Sequence, residues 1–344
     1  MKAVDEMRQM LGGLDPARGG PPVDEGRRAR ELTSILATDR RAISVRRPAP
    51  RRRVLLVAGA AVAVVAAGGV LVEMGRESQP AYAATPVVLA YGPSATAEPA
   101  GTRLRHLADV AALQAAPSRP ASTVEYLESA NWFLNSATSG QRVTSAVVPE
   151  QWRSWRTDDD GGRRVVKSLP PTFRSDADRR TWEQQGERIN QSETRRDFAA
   201  GELRPGWRGE VPADVDALRS WLTAGGSARE EPVQYLEDVA ELAGVRLLNP
   251  AQRAAVLRLL ADLPGITASG TVTDRAGRNG EAFSITSSFH GLPAQYTIII
   301  DPLSGALLGY EEVLTTTAGK LNVTIPAVTS YRTYLVAEYA AMPR

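Results

Sequence analysis

Residues 295–314 read QYTIIIDPLSGALLGYEEVL, and this stretch predicts two adjacent strands of an antiparallel sheet. In Tyr296–Ile300, tyrosine and isoleucine occupy one face while threonine and isoleucine occupy the other, so we expect a central strand covered on both faces. Asp301–Gly305 has the residues of a type I turn, with aspartate first, proline second and a closing glycine. The stretch therefore predicts that strands Gln295–Ile300 and Ala306–Thr317 are joined by a tight turn.

The strand pattern extends to both sides of this turn and returns much earlier in the chain. Near the C-terminus, alternation bounded by turn residues predicts four further strands: Ile266–Asp274, Ala282–His290, Leu321–Ile325 and Val328–Tyr339. The earlier region predicts three more strands: Val124–Ser139, Arg142–Trp155 and Arg163–Leu169. Asp158–Gly162 is predicted to form the hairpin turn between the last two.

Helices are predicted before and between these strand regions. Apolar residues at helical spacing indicate four of them: Arg103–Ala116, Asp214–Leu222, Pro232–Ala243 and a helix that ends at Asp262. Asn249 followed by Pro250 marks the start of the last helix, as an N-cap followed by proline at the first position. Pro170–Gly209 is polar and low in aliphatic residues, which predicts a loop with short helices. Residues 101–344 therefore predict an α+β domain in which antiparallel sheet encloses a helical middle.

Val54–Val72 contains nineteen residues without one polar or charged side chain: seven Val, six Ala, three Leu and three Gly. A helix of this length spans about 28 Å, close to the roughly 30 Å hydrocarbon core of a bilayer. We therefore predict a transmembrane helix over 54–74 and a linker over 75–100. Ala81–Ala83 also has the pattern of a signal-peptide cleavage site, but the 53 residues before the apolar run favour a retained anchor.

The charge distribution predicts the orientation of this helix. Residues 1–53 hold thirteen Lys/Arg and seven Asp/Glu, whereas the remainder holds twenty-eight and thirty-two. Short positive flanks stay in the cytoplasm, so we expect a cell-membrane protein with a cytoplasmic N-terminus and an extracytoplasmic C-terminal domain. The same arginines could contact nucleic acid, but a topology signal beside anionic lipid is the better explanation, and no nucleic-acid partner is predicted.

The predicted cytoplasmic segment, residues 1–53, has two short amphipathic stripes and no aromatic residue. Such segments bury too little surface to fold alone and order when they bind. We predict a partly disordered tail whose stripes bind a cytoplasmic regulator, with the membrane surface as the alternative. The candidate partner-binding residues are Met7, Leu11, Leu14, Leu32, Ile35 and Leu36.

The sequence offers little chemistry to an enzyme. It has no cysteine, which excludes disulfides, thiolate metal sites and cysteine nucleophiles. Its two histidines are His106 and His290, and the Gly-x-Ser-x-Gly elbow that would indicate a serine nucleophile beside His290 is missing. Asp158–Asp160 lacks the spacing and the final glutamate of a calcium loop. We therefore predict a non-enzymatic protein without a metal or cofactor.

All six tryptophans fall between Trp132 and Trp221. Clustered tryptophan can line a groove for an apolar ligand, although it more often fills the interface between sheet and helices. The candidate groove residues are Trp132, Trp152, Trp155, Trp182 and Trp207.

Several motifs resemble those of an actinobacterial family of single-pass membrane proteins that are anti-sigma-factor-like in arrangement. They are AYAATP at 81–86, LPGI at 263–266, VTDRAG at 272–277, and IDP followed by GALLG within 300–309. The resemblance implies a regulator paired with a sigma factor and an outer domain similar to the half-barrel of lipoprotein carriers. It does not extend to the zinc-type anti-sigma mechanism, because no His or Cys precedes Val54.

These patterns together predict a membrane-anchored, non-enzymatic regulatory or sensor protein. Its outer domain is expected to bind a ligand or a protein, and its cytoplasmic helices to contact a regulator such as a sigma factor. The alternative is an envelope protein with a structural role, or one that binds an apolar ligand such as a lipid, without a cytoplasmic partner.

Overall fold

The computed structural model describes residues 83–94, 98–139, 142–184, 191, 193–203, 207–224, 229 and 231–343, all within one compact unit of the chain. These residues contain five helices: α1 (Ala100–Ala112), α2 (Asp176–Gln184), α3 (Val215–Thr223), α4 (Pro232–Ala243) and α5 (Pro250–Ala261). The strands are β1 (Thr123–Ser139), β2 (Arg142–Arg156), β3 (Gly162–Ser168), β4 (Glu193–Phe198), β5 (Thr267–Thr273), β6 (Asn279–Ser287), β7 (Ala294–Ile300), β8 (Leu307–Leu314) and β9 (Ala327–Ala341). The predicted membrane helix lies outside the described residues.

The nine described strands form one antiparallel sheet in the order β4-β3-β2-β1-β9-β8-β7-β6-β5. Each of the two meanders, β1–β4 and β5–β9, pairs consecutive strands, and β1 joins them by pairing with β9. In that pair Trp132 lies opposite Tyr331. The α+β class and the antiparallel sheet are therefore confirmed, and β7 is an interior strand as its two-sided apolar pattern predicts.

One side of the sheet carries most of the helices, and we call it the helix-facing side. Tyr334 of β9 donates its hydroxyl hydrogen to the carbonyl oxygen of Ala240 in α4. Because side chains alternate along a strand, Arg332 and Ser330 share this side with Tyr334. The core here combines strand and helix side chains that are almost fully buried: Phe283, Tyr296, Ile298, Leu104, Leu236 and Leu257.

Helix α5 begins where the sequence predicts, because its cap is built from neighbouring residues. The Asn249 side chain accepts a hydrogen bond from the Gln252 N–H at 2.9 Å, and the Gln252 side chain accepts one from the Asn249 N–H at 2.9 Å. These reciprocal bonds satisfy two backbone donors that the first helical turn leaves open. Pro250 follows at the first helical position.

The turn between β7 and β8 confirms the chemistry of residues 301–305. The Asp301 carboxylate accepts a hydrogen bond from the Leu303 N–H at 3.0 Å. Gly305 has a φ of +66°, and a Cβ atom at that position would lie 2.6 Å from the Cβ of Ala111 in α1. Glycine is therefore required here both by the backbone conformation and by the close approach of the helix.

Residues 83–94, which we call the strap, lie across the sheet on the side opposite the helices. Leu89 and Tyr91 pack on a small apolar cluster that includes Ile299 of β7. The Gly92 N–H donates to the carbonyl of Thr271 at 2.8 Å, so the strap also covers part of the outer edge of β5. The sequence predicts a linker over this range, and its described part, 83–94, is attached to the domain along much of its length.

A buried ion pair fixes the strap to the sheet. Arg275 pairs with Glu311 of β8, whose side chain is 1% exposed, and donates a second hydrogen bond to the Val87 carbonyl at 2.9 Å. The guanidinium also lies over the ring of Tyr331, 4.4 Å from its centroid. Burial raises the pKa of Glu311, and the positive charge of Arg275 opposes that rise. The strap, β8 and β9 therefore meet at one charged group.

Two sequence predictions are wrong in their details. Leu321–Ile325 is not a strand. Its backbone makes short-range hydrogen bonds instead: the Leu321 N–H donates to the Ala318 carbonyl, and the Val323 N–H donates to the Leu321 carbonyl. The predicted loop Pro170–Gly209 contains β4 as well as α2. β4 is an exposed edge strand with the sequence ETRRDF, and a strand without an apolar face gives no alternation signal.

Arg275→Ala should destabilise the full-length chain by about 3 kcal/mol, because it leaves the buried Glu311 carboxylate without its partner. It should also raise amide hydrogen exchange in the strap, which loses the bond to Val87. The matched control is Arg258→Ala, which removes an exposed pair with Asp109 and should cost less than about 1 kcal/mol. Unchanged exchange in 83–94 would show that Arg275 does not hold the strap.

Candidate functional site

A row of side chains on the helix-facing side leads from the buried core to the surface. Tyr296 of β7 lies opposite Glu312 of β8, Glu312 lies opposite Ser330 of β9, and Ser330 lies opposite Phe133 of β1. Side chains in such positions have Cβ atoms about 5 Å apart. Tyr296 is 0% exposed, whereas Glu312, Ser330 and Phe133 are partly exposed. The row therefore connects a buried phenol with solvent.

Helix α4 and the turn after β6 add two ionisable groups to this row. The Nε2 atom of His290 lies 2.9 and 3.1 Å from the two carboxylate oxygens of Glu237. The two side chains are 15% and 24% exposed, respectively. The His290 ring also lies 6.0 Å from the Tyr296 ring, measured between centroids. We call Glu237, His290, Tyr296 and Glu312 the four-residue site.

Local structure explains how α4 presents Glu237. Pro232 occupies the first helical turn, and the Glu231 N–H donates to the Gln234 side chain at 3.0 Å in a capping box. Leu236 and Val239 are buried against the sheet, which fixes the rotation of the helix about its axis. Glu237 therefore lies at the border of the packed face, within reach of His290.

The electrostatics of the site are dominated by burial and by two neighbouring carboxyl groups. Burial, followed by the charge of Glu237, raises the pKa of Glu312 to about 7. Burial also raises the pKa of Tyr296, and the charges of Glu312 and Glu237 add to that rise. Among the described residues the Tyr296 hydroxyl has no hydrogen-bond partner. A buried polar group of this kind requires a physical explanation, such as a bound water or ligand.

The next row on the same side is also polar. Asn131 of β1 lies opposite Arg332 of β9, and an Arg332 nitrogen lies 3.7 Å from a Glu241 oxygen on α4. The Asn131 amide donates to the Ser129 hydroxyl at 3.0 Å, while its carbonyl oxygen has no partner within the described part of the chain. Polar groups therefore extend along the border of α4 toward β1.

The chemistry of this arrangement favours binding. Two carboxyl groups, an imidazole and a phenol can accept several hydrogen bonds from a ligand. The nearby Ser287 hydroxyl accepts a hydrogen bond from the Phe289 N–H at 3.0 Å, which is the role of a turn residue. In the part of the chain that the structure describes, no group of three or more His, Asp or Glu side chains is placed to hold a metal ion.

The five predicted groove tryptophans do not come together. Trp152 lies on the helix-facing side, where its ring is 6.0 Å from that of Phe133 and its Nε1–H donates to Glu150 at 2.7 Å. Trp132 and Trp155 lie on the opposite side, stacked on Tyr331 and Tyr126 at 5.3 and 4.9 Å. One of the three strand tryptophans is therefore close to the row described above.

The other two predicted groove residues are buried away from these strands. Trp182 in α2 is 3% exposed and packs against Phe173 at 6.2 Å. Trp207 is 6% exposed, stacks on Trp221 at 5.8 Å and donates to the Leu222 carbonyl at 3.2 Å. Both fill the interior, which is the more common role of tryptophan between sheet and helices. The predicted partner-binding residues, from Met7 to Leu36, lie outside the described residues.

The acidic turn between β2 and β3 is structural. Asp158 pairs with Arg119, and Asp159 accepts hydrogen bonds from the Thr157 hydroxyl and the Gly161 N–H. Asp160 pairs with the buried Arg156 and accepts a hydrogen bond from the Gly209 N–H at 2.9 Å. Each carboxylate of the turn therefore has a protein partner.

No protein-family model, curated protein or solved structure matches this chain. Among the described residues, no helix is both long enough and apolar enough to cross a membrane; the predicted span at 54–72 is not among them.

Sequence reasoning considered His290 but missed its three neighbours in the site. One signal was present in Glu311-Glu312, two adjacent acidic residues in the middle of a predicted strand. Because side chains alternate, one of them must face each side of the sheet, and in a strand covered on both sides both need partners or an altered pKa. The pairing of His290 with Glu237, 53 positions away, has no comparable local signal.

When the pH rises from 5 to 8, the free energy of unfolding of the full-length chain should fall less in Glu312→Gln than in the wild type. Burial raises the pKa of Glu312 in the folded state to about 7, above the ordinary glutamate pKa of 4.5. The stabilisation that this raised pKa gives to the folded state is therefore fully present below about pH 4.5, and it is lost as the pH rises through 7. The expected loss in the wild type between pH 5 and pH 8 is about 2 kcal/mol. Denaturant titrations at both pH values, with exposed Glu338→Gln as the control, measure the difference. Equal pH slopes for Glu312→Gln and the wild type would contradict the assignment.

Proposed function

We propose that this chain is a membrane-anchored, non-enzymatic sensor or regulator with a single membrane span. In this proposal Val54–Val72 crosses the cell membrane, residues 1–53 lie in the cytoplasm and the α+β domain lies outside. Ten residues separate Val72 from the start of the strap, a distance of at most about 35 Å when extended. The outer domain thus stays close to the membrane, and the strap is the first of its described segments.

The observation that carries this proposal is the back-to-back arrangement of the site and the strap. Glu312 belongs to the four-residue site, while the preceding Glu311 is the buried partner of the strap-binding Arg275. In β7, Tyr296 faces the site, whereas Ile299 packs on the opposite side against Leu89 and Tyr91 of the strap. A ligand that displaces β7 or β8 on one side must therefore disturb the attachment of the strap on the other.

The sheet geometry supports a binding role for the outer domain. The nine described strands form one antiparallel sheet with helices packed against one side, and we infer that it curves into a half-barrel similar to that of the lipoprotein carriers. The four-residue site lies at the border of the helical layer, where polar and aromatic side chains are partly exposed. We assign this border as the place where the domain binds a ligand or a protein.

A second candidate is an envelope protein that binds an apolar ligand such as a lipid and has no cytoplasmic partner. Phe133 and Trp152 favour it, since both are partly exposed on the helix-facing side with ring centroids 6.0 Å apart. This candidate shares the anchor and the outer domain, and it differs in giving no role to residues 1–53.

The proposed topology predicts the behaviour of a reporter fused after Arg344. A reporter that is active only outside the cytoplasm should be active, because the arginines before Val54 hold the N-terminus inside. A strictly cytoplasmic reporter at the same position serves as the control and should be silent. The opposite result would exclude an extracytoplasmic domain, and a mature N-terminus at Ala84 would show that the anchor is cleaved.

The proposed cytoplasmic contact predicts that residues 1–50 capture a sigma factor from lysate. In this proposal the apolar contacts come from the stripes that contain Leu11, Leu14, Leu32 and Leu36. Each buried leucine contributes about 1.5–3 kcal/mol to such a contact. A bait in which these four leucines are changed to serine should therefore capture roughly ninety per cent less of the factor, or lose still more of it. Mass spectrometry identifies the protein. Binding only to anionic liposomes, or to nothing, would favour the envelope protein without a partner.

A further inference from the structure

The four-residue site has more hydrogen-bond acceptors than the described residues satisfy. The Tyr296 hydroxyl is fully buried and has no partner among them. The Glu312 side chain lies directly across from it on β8. In the contacts described above, the partner of the Glu237 carboxylate is the imidazole of His290. Because each carboxylate oxygen can accept two hydrogen bonds, Glu237 can accept further ones. One buried phenol and two carboxyl groups therefore converge on the same place.

We propose that this site binds the primary ammonium group of a small organic ligand. The proposal rests on the ligand-binding role given to the outer domain above and names the chemical class of the ligand. A primary ammonium group has three N–H donors and one positive charge. Glu237, Glu312 and the Tyr296 oxygen supply three acceptors, and the two carboxylates supply the opposite charge. Charge-assisted hydrogen bonds of this kind are stronger than neutral ones.

The surroundings favour an organic cation over a metal ion. The part of the chain that the structure describes has no cluster of three or more His, Asp or Glu placed for metal binding. Aromatic rings lie around the site instead: Tyr296 and His290 are 6.0 Å apart, and Phe289 packs edge-on against His290 at 5.0 Å. Aromatic faces attract organic cations. Phe133 lies at the partly exposed end of the same row.

The test is isothermal titration of the full-length chain in nanodiscs with n-butylammonium chloride at pH 8. Butan-1-ol has the same carbon chain and no charge, and it serves as the matched ligand. We expect saturable binding of butylammonium and at least tenfold weaker binding of butanol. Tyr296→Phe keeps the ring and removes only the hydroxyl, and Glu312→Gln keeps the shape of the side chain and removes the charge. Each should weaken butylammonium binding at least tenfold.

Glu338→Gln is the control variant, because Glu338 is an exposed glutamate of β9 and its loss should leave binding unchanged. Far-UV circular dichroism checks that each variant is folded. Equal binding of butanol, unaltered binding by Glu312→Gln, or displacement of butylammonium by equimolar calcium chloride would each overturn the proposal. So would the absence of butylammonium binding to the wild type. None of these results would affect the outcome of the reporter and sigma-factor experiments. The ligand class can therefore be rejected independently of the sensor role.

Discussion

The pairing of β1 with β9 is the contact on which the described sheet depends. Each half of the sheet is a local meander, and the two halves meet at this one strand pair. Trp132 and Tyr331, which stack across it at 5.3 Å, are far apart in the sequence. Closing so long a loop has an entropic cost that grows only slowly with its length. The long register from Thr123–Ala341 to Phe133–Ser330 offsets that cost with many contacts at once, and it brings Phe133 beside the C-terminal strands.

An open sheet has two edges, and this chain treats them differently. The strap covers part of the β5 edge, where the Thr271 N–H donates to the Pro93 carbonyl at 3.3 Å. The β4 edge instead carries exposed charges, with Arg195 and Asp197 both about half exposed in their ion pair. Charged side chains on an edge strand oppose pairing with another chain. The polar composition of β4, which left it without a strand signal in the sequence, therefore also protects this edge of the sheet from pairing with another chain.

Short-range chemistry explains which parts of the fold were predictable. Asn249-Pro250, Pro232 and the Asp301–Gly305 turn act within a few residues, and the structure confirms the elements that they start or join. Leu321–Ile325 has the apolar pattern of a strand, but a pattern does not supply a neighbour with free hydrogen-bonding groups. The four-residue site was even harder to predict from the sequence. Its four residues come from α4, a turn, β7 and β8, and only the tertiary packing decides that His290 meets Glu237.

Alternation along β7 and β8 explains why the site and the strap are mechanically related. Glu311 and Glu312 are adjacent, yet one is neutralised by Arg275 on the strap side and the other is held with a raised pKa beside Glu237. The backbone between them cannot shift without moving both side chains, because interiors are close-packed and respond as a unit. Any event that changes the charge at Glu312 therefore acts on the same peptide unit that anchors Glu311 to the strap. That proximity makes β8 the shortest physical connection between the helix-facing side and the strap.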